Sequence, residues 1–298
     1  MSRTLHLIQP RRAAHSAAIF DKIAVVGLGV VGGSVALAAR EAWPQALVIG
    51  VDGNEVLEQA MLRHAVDVAS HDLTILGDAG LVILARSEAE NLESLRELPR
   101  HLEGPAVITD TGCTKRAIDE AAKGLPRRLT FVGGHPLVEP REGGIESARS
   151  DLFAGRHWIL TPPDPPNEPA FDRLWAVATA LGAIPGSMAA ADHDRLFALL
   201  SHLPGVTLAG LLATVSRSVG VDDLQFVESP LSDLVRLAPQ PAGRWRGVCR
   251  TNTQELGDAL DTLIGILQEC RAHLADDAWL ERFFEAALAL RHKASSAN

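Results

Sequence analysis

The most constraining feature of this sequence is a glycine turn that joins an apolar segment to an alanine-rich one. Residues 22–26 (KIAVV) have the character of a buried strand, and residues 27–34 read GLGVVGGS. Gly27 allows a tight turn, Gly29 lets a ligand approach the backbone, and Gly32 lets the next helix pack close to the strand. The spacing predicts a strand, a turn and a helix N-terminus whose N–H groups face an anion.

An acidic residue lies at the spacing that a dinucleotide site requires after such a turn. A second apolar run, residues 46–51, ends at Asp52, twenty positions after Gly32. A carboxylate there can accept hydrogen bonds from a ribose diol, whereas an ordinary glycine turn of an α/β protein needs no such acid. With Thr111, which follows a later strand, the predicted cofactor-binding residues are Gly27, Gly29, Val30, Val31, Gly32, Asp52 and Thr111.

The sequence also bears on which dinucleotide binds. Gly53, Asn54 and Glu55 follow Asp52 and include no arginine or lysine to neutralise the 2′-phosphate of NADP. The Asp52 carboxylate would repel that phosphate. We therefore predict NAD as the cofactor.

Length and charge restrict the kinds of partner. A chain of 298 residues with 47% hydrophobic content can bury a sizeable core and form two domains. Its formal net charge of −9 argues against binding to nucleic acid or to an anionic membrane surface. A small-molecule substrate is the predicted partner.

Cysteine usage and the N-terminus bear on the compartment. Cys113, Cys249 and Cys270 have no CxxC spacing, which suits a reducing cytoplasm and argues against a structural zinc site. No continuous apolar run reaches the roughly 18 residues of a membrane span. Residues 1–19 contain two adjacent arginines without an apolar stretch after them, so we interpret them as a frayed leader or an extra edge element, not a signal peptide. We predict a cytoplasmic protein without a metal site.

Apolar strand patterns alternate with helical patterns up to about residue 188. This alternation predicts a Rossmann-type, doubly wound parallel sheet, with the chemistry at the carboxyl ends of its strands. Residues 130–136 close one of these strands, and a short strand at 183–188 is expected to complete the same sheet. The other predicted strands are 79–85 and 106–110, and the predicted helices are 55–64, 87–98 and 171–181.

The strand pattern is absent after residue 188, and long apolar helical periodicities replace it. Helices are predicted at 192–219, 253–274 and 277–291, and residues 239–246 are interpreted as a mobile loop. Their faces are too apolar to be covered by a single layer. We therefore predict a dinucleotide-binding domain over 1–188 and an all-α domain over 189–298 that covers the substrate and forms a homodimer.

Several motifs in a fixed order resemble those of the prephenate and arogenate dehydrogenases of tyrosine biosynthesis. The glycine turn, the DTGCTK stretch and the GGHP segment carry the resemblance first, and it extends from about residue 22 to 252. The motifs are 27–34, 110–115 (DTGCTK), 133–136 (GGHP), 144–162 (GIESARSDLFAGRHWILTP), 193–194 (HD), 201–204 (SHLP) and 233–236 (DLVR).

The resemblance implies an NAD-dependent oxidative decarboxylation. Hydride leaves C4 of a cyclohexadiene ring for the nicotinamide, CO₂ departs, and the ring becomes aromatic. His135 matches the family's catalytic histidine, which receives the hydroxyl proton. Arg236 matches the arginine for the ring carboxylate, for which a planar guanidinium is well shaped. The alternative for Arg236 is a surface ion pair with Asp233.

The resemblance also identifies a set of residues near the expected domain junction. His193 and Asp194 match a family pair, and Asp194 and Ser201 are expected on one helix face. A structural role at the junction and a substrate contact both remain open for them. The residues predicted to bind substrate are Arg236, Arg141, Ser201, Asp194, His193 and Asp233.

Three positions depart from the family pattern. Cys113 occupies the place of a serine that hydrogen-bonds the substrate hydroxyl, and a thiol is a weaker donor. Residues 138–142 (VEPRE) replace the usual Gly-Ser/Thr-Glu, and Gly205 replaces a histidine. Arg141 is a candidate for the lost side-chain anchor, with Cys113 kept as a catalytic candidate. These changes leave the reaction class intact but leave the side-chain specificity open.

Two other classes of protein share features of this sequence. A β-hydroxyacid dehydrogenase is disfavoured, because residues 124–292 contain no lysine to serve as that class's catalytic residue. A dinucleotide-binding sensor or catalytically impaired relic would explain the departures. Within the family, arogenate or an amino-substituted analogue of prephenate is an alternative substrate.

Overall fold

The computed structural model describes residues 17–138, 143–163, 165–220, 222–223, 230–237 and 242–297. The chain divides into two compact units. The first comprises 1–197 with 240–252, and the second comprises 198–239 with 253–298. The boundary expected between residues 188 and 189 stays a prediction. Arg141 and its neighbours Glu139 and Glu142 lie outside the described residues.

A six-stranded parallel sheet forms the centre of the first unit. The strand order is 3-2-1-4-5-6, which is the Rossmann order, and it confirms the predicted fold class. Parallel strands in this order place the ends of β1, β2, β4 and β5 at one edge, where the predicted cofactor residues lie. The strands are β1 (Lys22–Val26), β2 (Leu47–Val51), β3 (Val68–Ser70), β4 (Leu81–Leu84), β5 (Ala106–Asp110) and β6 (Leu129–Phe131).

Helices cover both faces of this sheet. Ile23 and Val25 of β1 pack into one apolar core, whereas the alternate residues Ala24 and Val26 pack into another. Burial on both faces explains why these strands read as continuous apolar runs. The connecting helices are α1 (Val30–Ala42), α2 (Asn54–Leu62), α3 (Glu88–Glu97) and α4 (Arg116–Ala122).

A second, three-stranded sheet corrects one expectation. Its strands are β7 (Gly133–Pro136), β8 (His157–Thr161) and β9 (Ile184–Ser187), with α5 (Glu168–Ala180) before β9. β7 is antiparallel to β8, and β9 is parallel to β8. The strand near 183–188 therefore does not complete the first sheet.

The chain changes sheets between Phe131 and Gly133. The Val132 N–H still donates to the Ile108 carbonyl of β5, whereas Gly133 pairs with Thr161 of β8. Apolar residues follow the same pattern in one long strand as in two consecutive strands. The sequence therefore does not indicate where the chain changes sheets. Beyond Val132 the backbone of β7 pairs with β8, and side chains of Asp110 and Lys115 add bonds to Gly134.

The remaining helices are α6 (Ala190–Phe197), α7 (Leu203–Ser218), α8 (Leu231–Arg236), α9 (Ala242–Thr251), α10 (Thr253–Ala272) and α11 (Asp277–Ala297). A π-helical turn at Ala198–His202 divides the helix expected at 192–219. Ser201 is exposed and His202 is buried, so Ser201 does not share the buried character of Asp194. The loop expected at 239–246 is also wrong from Ala242 onwards, where the chain is helical.

The second unit exposes much of its apolar surface. Leu267 of α10 is 55% exposed and Phe284 of α11 is 63% exposed. By length and composition the helical segment Ala190–Ser218 is apolar enough to cross a membrane, with a mean hydropathy of 1.8 and 17% burial over its most apolar window. No continuous apolar run was expected here, because polar residues such as Ser201 and His202 lie between the apolar ones. Exposed apolar helices are equally typical of an interface between proteins.

Candidate active site

The glycine turn has the geometry of a dinucleotide site. Gly27 has a φ of +97°, and a Cβ there would come within 2.8 Å of the Ala85 backbone. A Cβ on Gly32 would overlap the carbonyl oxygen of Gly27, whereas one on Gly29 would meet nothing within 4 Å. Packing therefore requires two of the glycines, and the third leaves open space for a ligand.

The N-terminus of α1 fits a pyrophosphate. Gly29 is the N-cap residue, it offers no side-chain acceptor, and no acidic residue lies in the first turn. The helix dipole and backbone N–H groups at such an end favour an anion. Of the two predicted residues in this turn of the helix, Val30 is buried and Val31 is partly buried. The other predicted cofactor residue, Thr111, follows β5, and its N–H donates to the Leu84 carbonyl at the end of β4.

Asp52 lies beside this turn at the end of β2. Its Oδ2 accepts a hydrogen bond from the Leu28 N–H at 2.6 Å, and its Oδ1 accepts one from the Gly53 N–H at 2.7 Å. The carboxylate is therefore fixed next to the open space above Gly29. This arrangement fits the ribose diol of a dinucleotide.

Three buried side chains form a hydrogen-bonded chain at the carboxyl side of the sheet. His135 of β7 has its Nδ1 2.9 Å from Nε2 of His193, and Nδ1 of His193 lies 2.9 Å from Oδ1 of Asp194. The Phe197 ring packs against both imidazoles, with centroid distances of 4.9 and 4.5 Å. The structure thus brings together three residues predicted for the site.

The state of Asp194 follows from its bonds. Its carboxylate accepts from the backbone N–H groups of Lys115 at 2.7 Å and Arg116 at 2.9 Å. Burial alone raises the pKa of Asp194, but the hydrogen bonds from His193, Arg116 and Lys115 together outweigh burial and lower that pKa. Asp194 is therefore a carboxylate and a pure acceptor.

The tautomers of the two histidines follow in turn. Burial lowers the pKa of His193, so its ring is neutral and donates through Nδ1–H to Asp194. The Nε2 of His193 then carries a lone pair and accepts from Nδ1–H of His135. This assignment leaves the lone pair of His135 on Nε2. A lone pair on an imidazole held in this way is what a general base needs.

A buried ion pair holds the strand that carries His135. Lys115 and Asp110 form the pair, with side chains 0% and 2% exposed. Asp110 Oδ1 accepts from the Gly134 N–H at 3.0 Å, and Lys115 Nζ donates to the Gly134 carbonyl at 2.7 Å. Both backbone groups of the residue before His135 are thus bound by side chains. Asp110 and Lys115 belong to the DTGCTK motif, but their sequence positions alone indicate no role for them.

Cys113 has a defined partner. Its thiol donates to Oε1 of Glu88 at 3.1 Å, and both residues are buried. Glu88 opens α3 and was not singled out in the sequence. The one indication in the sequence was that Glu88 lies a few residues after the strand predicted at 79–85. The catalytic role of Cys113 stays a prediction.

The other predicted substrate residues belong to the second unit. Arg236 and Asp233 form an ion pair one helical turn apart on α8, with side chains 76% and 55% exposed. Ser201 is exposed at the π-helical turn, and Gly205 is partly buried in α7. In the described ranges no group of three or more His, Cys, Asp or Glu side chains is placed to hold a metal ion.

A Rossmann sheet with an open glycine turn, a ribose-binding acid and a buried, oriented histidine defines a dinucleotide-dependent dehydrogenase. Comparison with known families agrees with this class. The nucleotide-binding domain of prephenate dehydrogenase matches residues 35–184, and the dimerization domain of prephenate dehydrogenase matches residues 189–287. The chain belongs to the prephenate dehydrogenase family.

Individual relatives are similar over most of their length. The prephenate dehydrogenase of Bacillus subtilis is 30% identical over 275 residues, covering 90% of this chain and 74% of the relative. The cyclohexadienyl dehydrogenase of Zymomonas mobilis is 28% identical over 278 residues, covering 90% of this chain and 94% of the relative.

Solved structures show the same fold. The arogenate dehydrogenase of Synechocystis has a TM-score of 0.78 at 28% identity, covering 92% of this chain and 99% of its own. The prephenate dehydrogenase of Aquifex aeolicus, solved with hydroxyphenyl propionate and NAD+, has a TM-score of 0.86 at 22% identity, covering 93% of this chain and 98% of its own.

Proposed function

We propose that this chain is an NAD-dependent dehydrogenase that converts prephenate to 4-hydroxyphenylpyruvate and CO₂ in tyrosine biosynthesis. The observation that carries the proposal is the His135–His193–Asp194 chain in a Rossmann unit with an open glycine turn. The Bacillus subtilis and Lactococcus lactis relatives are named prephenate dehydrogenases, and the similar Aquifex aeolicus structure contains NAD+.

The hydrogen bonds of His135 support a role as the general base of the reaction. His135 Nε2 accepts the proton of the substrate's ring hydroxyl while the C4 hydrogen leaves as hydride, so a carbonyl forms at C4. The bound nicotinamide supplies the hydride acceptor. The Asp194 carboxylate stabilises the charge that spreads over the two imidazoles.

Decarboxylation completes the reaction. The C1–CO₂ bond breaks, its electron pair makes the ring aromatic, and the C4 oxygen takes its proton back from His135. Aromatisation supplies the driving force. We assign Arg236 to the ring carboxylate, with Arg141, Ser201 and Asp233 as further substrate residues and Cys113 as a weak donor near the hydroxyl.

His193 and Asp194 fit a positioning role at least as well as a substrate contact. Both are fully buried, and each uses its ring or carboxylate for hydrogen bonds inside the protein. They act on the substrate through His135.

Arogenate and an amino-substituted analogue are the second candidates. The similar Synechocystis structure is an arogenate dehydrogenase, and 165 residues of the chain are 32% identical to a probable prephenate dehydrogenase, NovF, of Streptomyces niveus. Gly205, in place of the expected histidine, favours relaxed recognition of the side chain.

The test is turnover of the wild-type protein with NAD. NADH formation and an aromatic product should appear with prephenate, arogenate or both, and the ratio of the two kcat/KM values identifies the preferred side chain. Failure to turn over prephenate, arogenate or an amino-substituted analogue of prephenate, in a folded protein that binds NAD, would contradict the proposal and support the sensor function.

We also propose a homodimer formed through the C-terminal helices, in the cytoplasm. The exposed apolar residues of α7, α10 and α11, together with the matched dimerization domain, support this assembly. Sedimentation equilibrium should give twice the chain mass of 31.8 kDa at micromolar concentration. A monomer under those conditions would contradict it.

A further inference from the structure

Arg86 is a cation in the dinucleotide crevice that the sequence analysis did not consider. It follows β4 by two residues, and its Cγ lies 2.7 Å from the point where a Cβ on Gly27 would stand. Its side chain therefore lies directly over the glycine turn. The prediction of NAD rests on Gly53, Asn54 and Glu55, and Arg86 is distant from them in sequence.

The guanidinium of Arg86 extends to the end of β2. Its Nη2 is 3.5 Å from the carbonyl oxygen of Val51, the residue before Asp52. That carbonyl already accepts the Gly27 N–H at 2.8 Å, so the arginine contact is at the outer limit of a hydrogen bond. Among the residues that the structure describes, this is the one polar contact of the guanidinium, and its other N–H donors are available to a ligand.

Arg86 is held firmly in this position. Asn91 is fully buried, its Oδ1 accepts from the Arg86 N–H at 3.0 Å, and its Nδ2 donates to the Arg86 carbonyl at 3.1 Å. A capping box between Ser87 and Glu90 fixes the start of α3 just beyond. The arginine backbone is thus clamped on both sides, which fixes the point from which its side chain extends over the glycine turn.

We propose that Arg86 is a second determinant of dinucleotide choice, a cation placed to bind the 2′-phosphate of NADP once the charge on Asp52 is removed. This inference rests on the proposed NAD-dependent function. Asp52 binds the ribose diol and repels a phosphate, while Arg86 offers the planar donors that a phosphate prefers. Discrimination against NADP therefore depends on a single carboxylate charge.

The test compares dissociation constants for NAD and NADP by calorimetry. Asp52→Asn removes the charge but keeps an oxygen that can accept from the Leu28 N–H. We expect it to increase NADP affinity at least tenfold, without any added arginine. Arg86→Gln in that background should lose at least tenfold of the gain, whereas Arg86→Gln with Asp52 intact should change NAD affinity by less than about threefold.

Arg96→Gln is the matched control, because Arg96 is an exposed arginine near the far end of α3, about 15 Å along the helix from Arg86. In the Asp52→Asn background it should leave NADP affinity unchanged. Equal losses of NAD and NADP affinity with Arg86→Gln would overturn the inference, since the arginine would then bind a part common to both. An Asp52→Asn variant without increased NADP affinity would overturn it as well. Binding of NAD by the wild type tests the proposed function separately.

Discussion

Nδ1 of His135 lies 2.9 Å from Nε2 of His193, although 58 residues separate the two histidines in sequence. The bond links β7 to α6, and the carboxylate of Asp194 fixes its direction. The ring of His193 orients the ring of His135, and the Asp194 carboxylate orients the ring of His193. The base proposed for the reaction is therefore set by the fold as well as by residue type.

The glycine turn allows a prediction with an internal control. Gly29→Ala should leave thermal stability within about 2 °C of the wild type, because a Cβ there meets no protein atom within 4 Å. It should nevertheless weaken NAD binding at least tenfold, because the methyl group would fill the space in which we expect the pyrophosphate to bind. Calorimetric titration with NAD and a melting curve check both parts.

Gly32→Ala is the contrasting variant. Its Cβ would overlap the Gly27 carbonyl, so we expect a loss of folding stability of about 1–3 kcal/mol together with the loss of NAD binding. Equal stability of the two variants would show that the helix does not approach the turn as described.

The buried ion pair under β7 gives a second prediction. Lys115→Met leaves the Asp110 carboxylate buried without its cation, which should cost about 3–5 kcal/mol in the free energy of unfolding. Adding Asp110→Asn should restore part of this loss, because the uncompensated charge is gone. Urea unfolding of both variants measures the difference. A double variant less stable than Lys115→Met would contradict the pairing.

Asp119 predicts a pH dependence of stability. Burial raises its pKa to about 7, with the nearby Lys115 opposing the shift. Because this pKa is above the ordinary 3.8, the protonated carboxyl stabilises the fold fully below pH 3.8, and that contribution is lost as pH rises through about 7. Asp119→Asn should therefore gain stability relative to the wild type between pH 5 and pH 8.

The urea midpoint at several pH values checks this. Glu120→Gln is the control, because Glu120 is the next residue and its side chain is 72% exposed. Its stability difference from the wild type should stay flat over the same pH range. A difference for Asp119→Asn that is equally flat would show that Asp119 is ionised in the folded protein at pH 5.

Two exposed ion pairs test the role of Arg236. Arg236 pairs with Asp233 and Arg195 pairs with Asp192, both with i, i+3 spacing and similar exposure. Neither pair should contribute more than about 1 kcal/mol to stability. Arg236→Ala should raise the KM for prephenate at least tenfold, whereas Arg195→Ala should leave it unchanged. Equal KM values for the two variants would show that Arg236 does not bind the substrate and forms only a surface ion pair with Asp233.

Local patterns predicted the first sheet well. The strand expected at 106–110 is β5 with the same ends, and the glycine turn, Asp52 and the helix after it lie as their spacing indicates. Each of these depends on neighbours in sequence, such as apolar periodicity and glycine spacing. Residues 183–188 were also recognised as a strand, but their sheet was wrong, because strand pairing depends on residues far away in the chain.

The residues of the site could be predicted from the sequence, but the contacts between them could not. The family resemblance identified His135, His193 and Asp194, yet the bonds between them join segments that no local pattern connects. The Lys115–Asp110 pair around Gly134 and the position of Arg86 over Gly27 became visible only in three dimensions. The π-helical turn that exposes Ser201 also escaped a prediction based on a regular period of 3.6 residues.

Turnover and cofactor binding of His135→Asn test the proposed general base most directly. We predict a kcat about 10²–10⁴-fold below the wild type, the usual contribution of a positioned base, with the dissociation constant for NAD changed by less than about threefold. His157→Asn, at an exposed histidine of β8, should keep wild-type kcat. A His135→Asn enzyme with a kcat within threefold of the wild type would contradict the role assigned to His135.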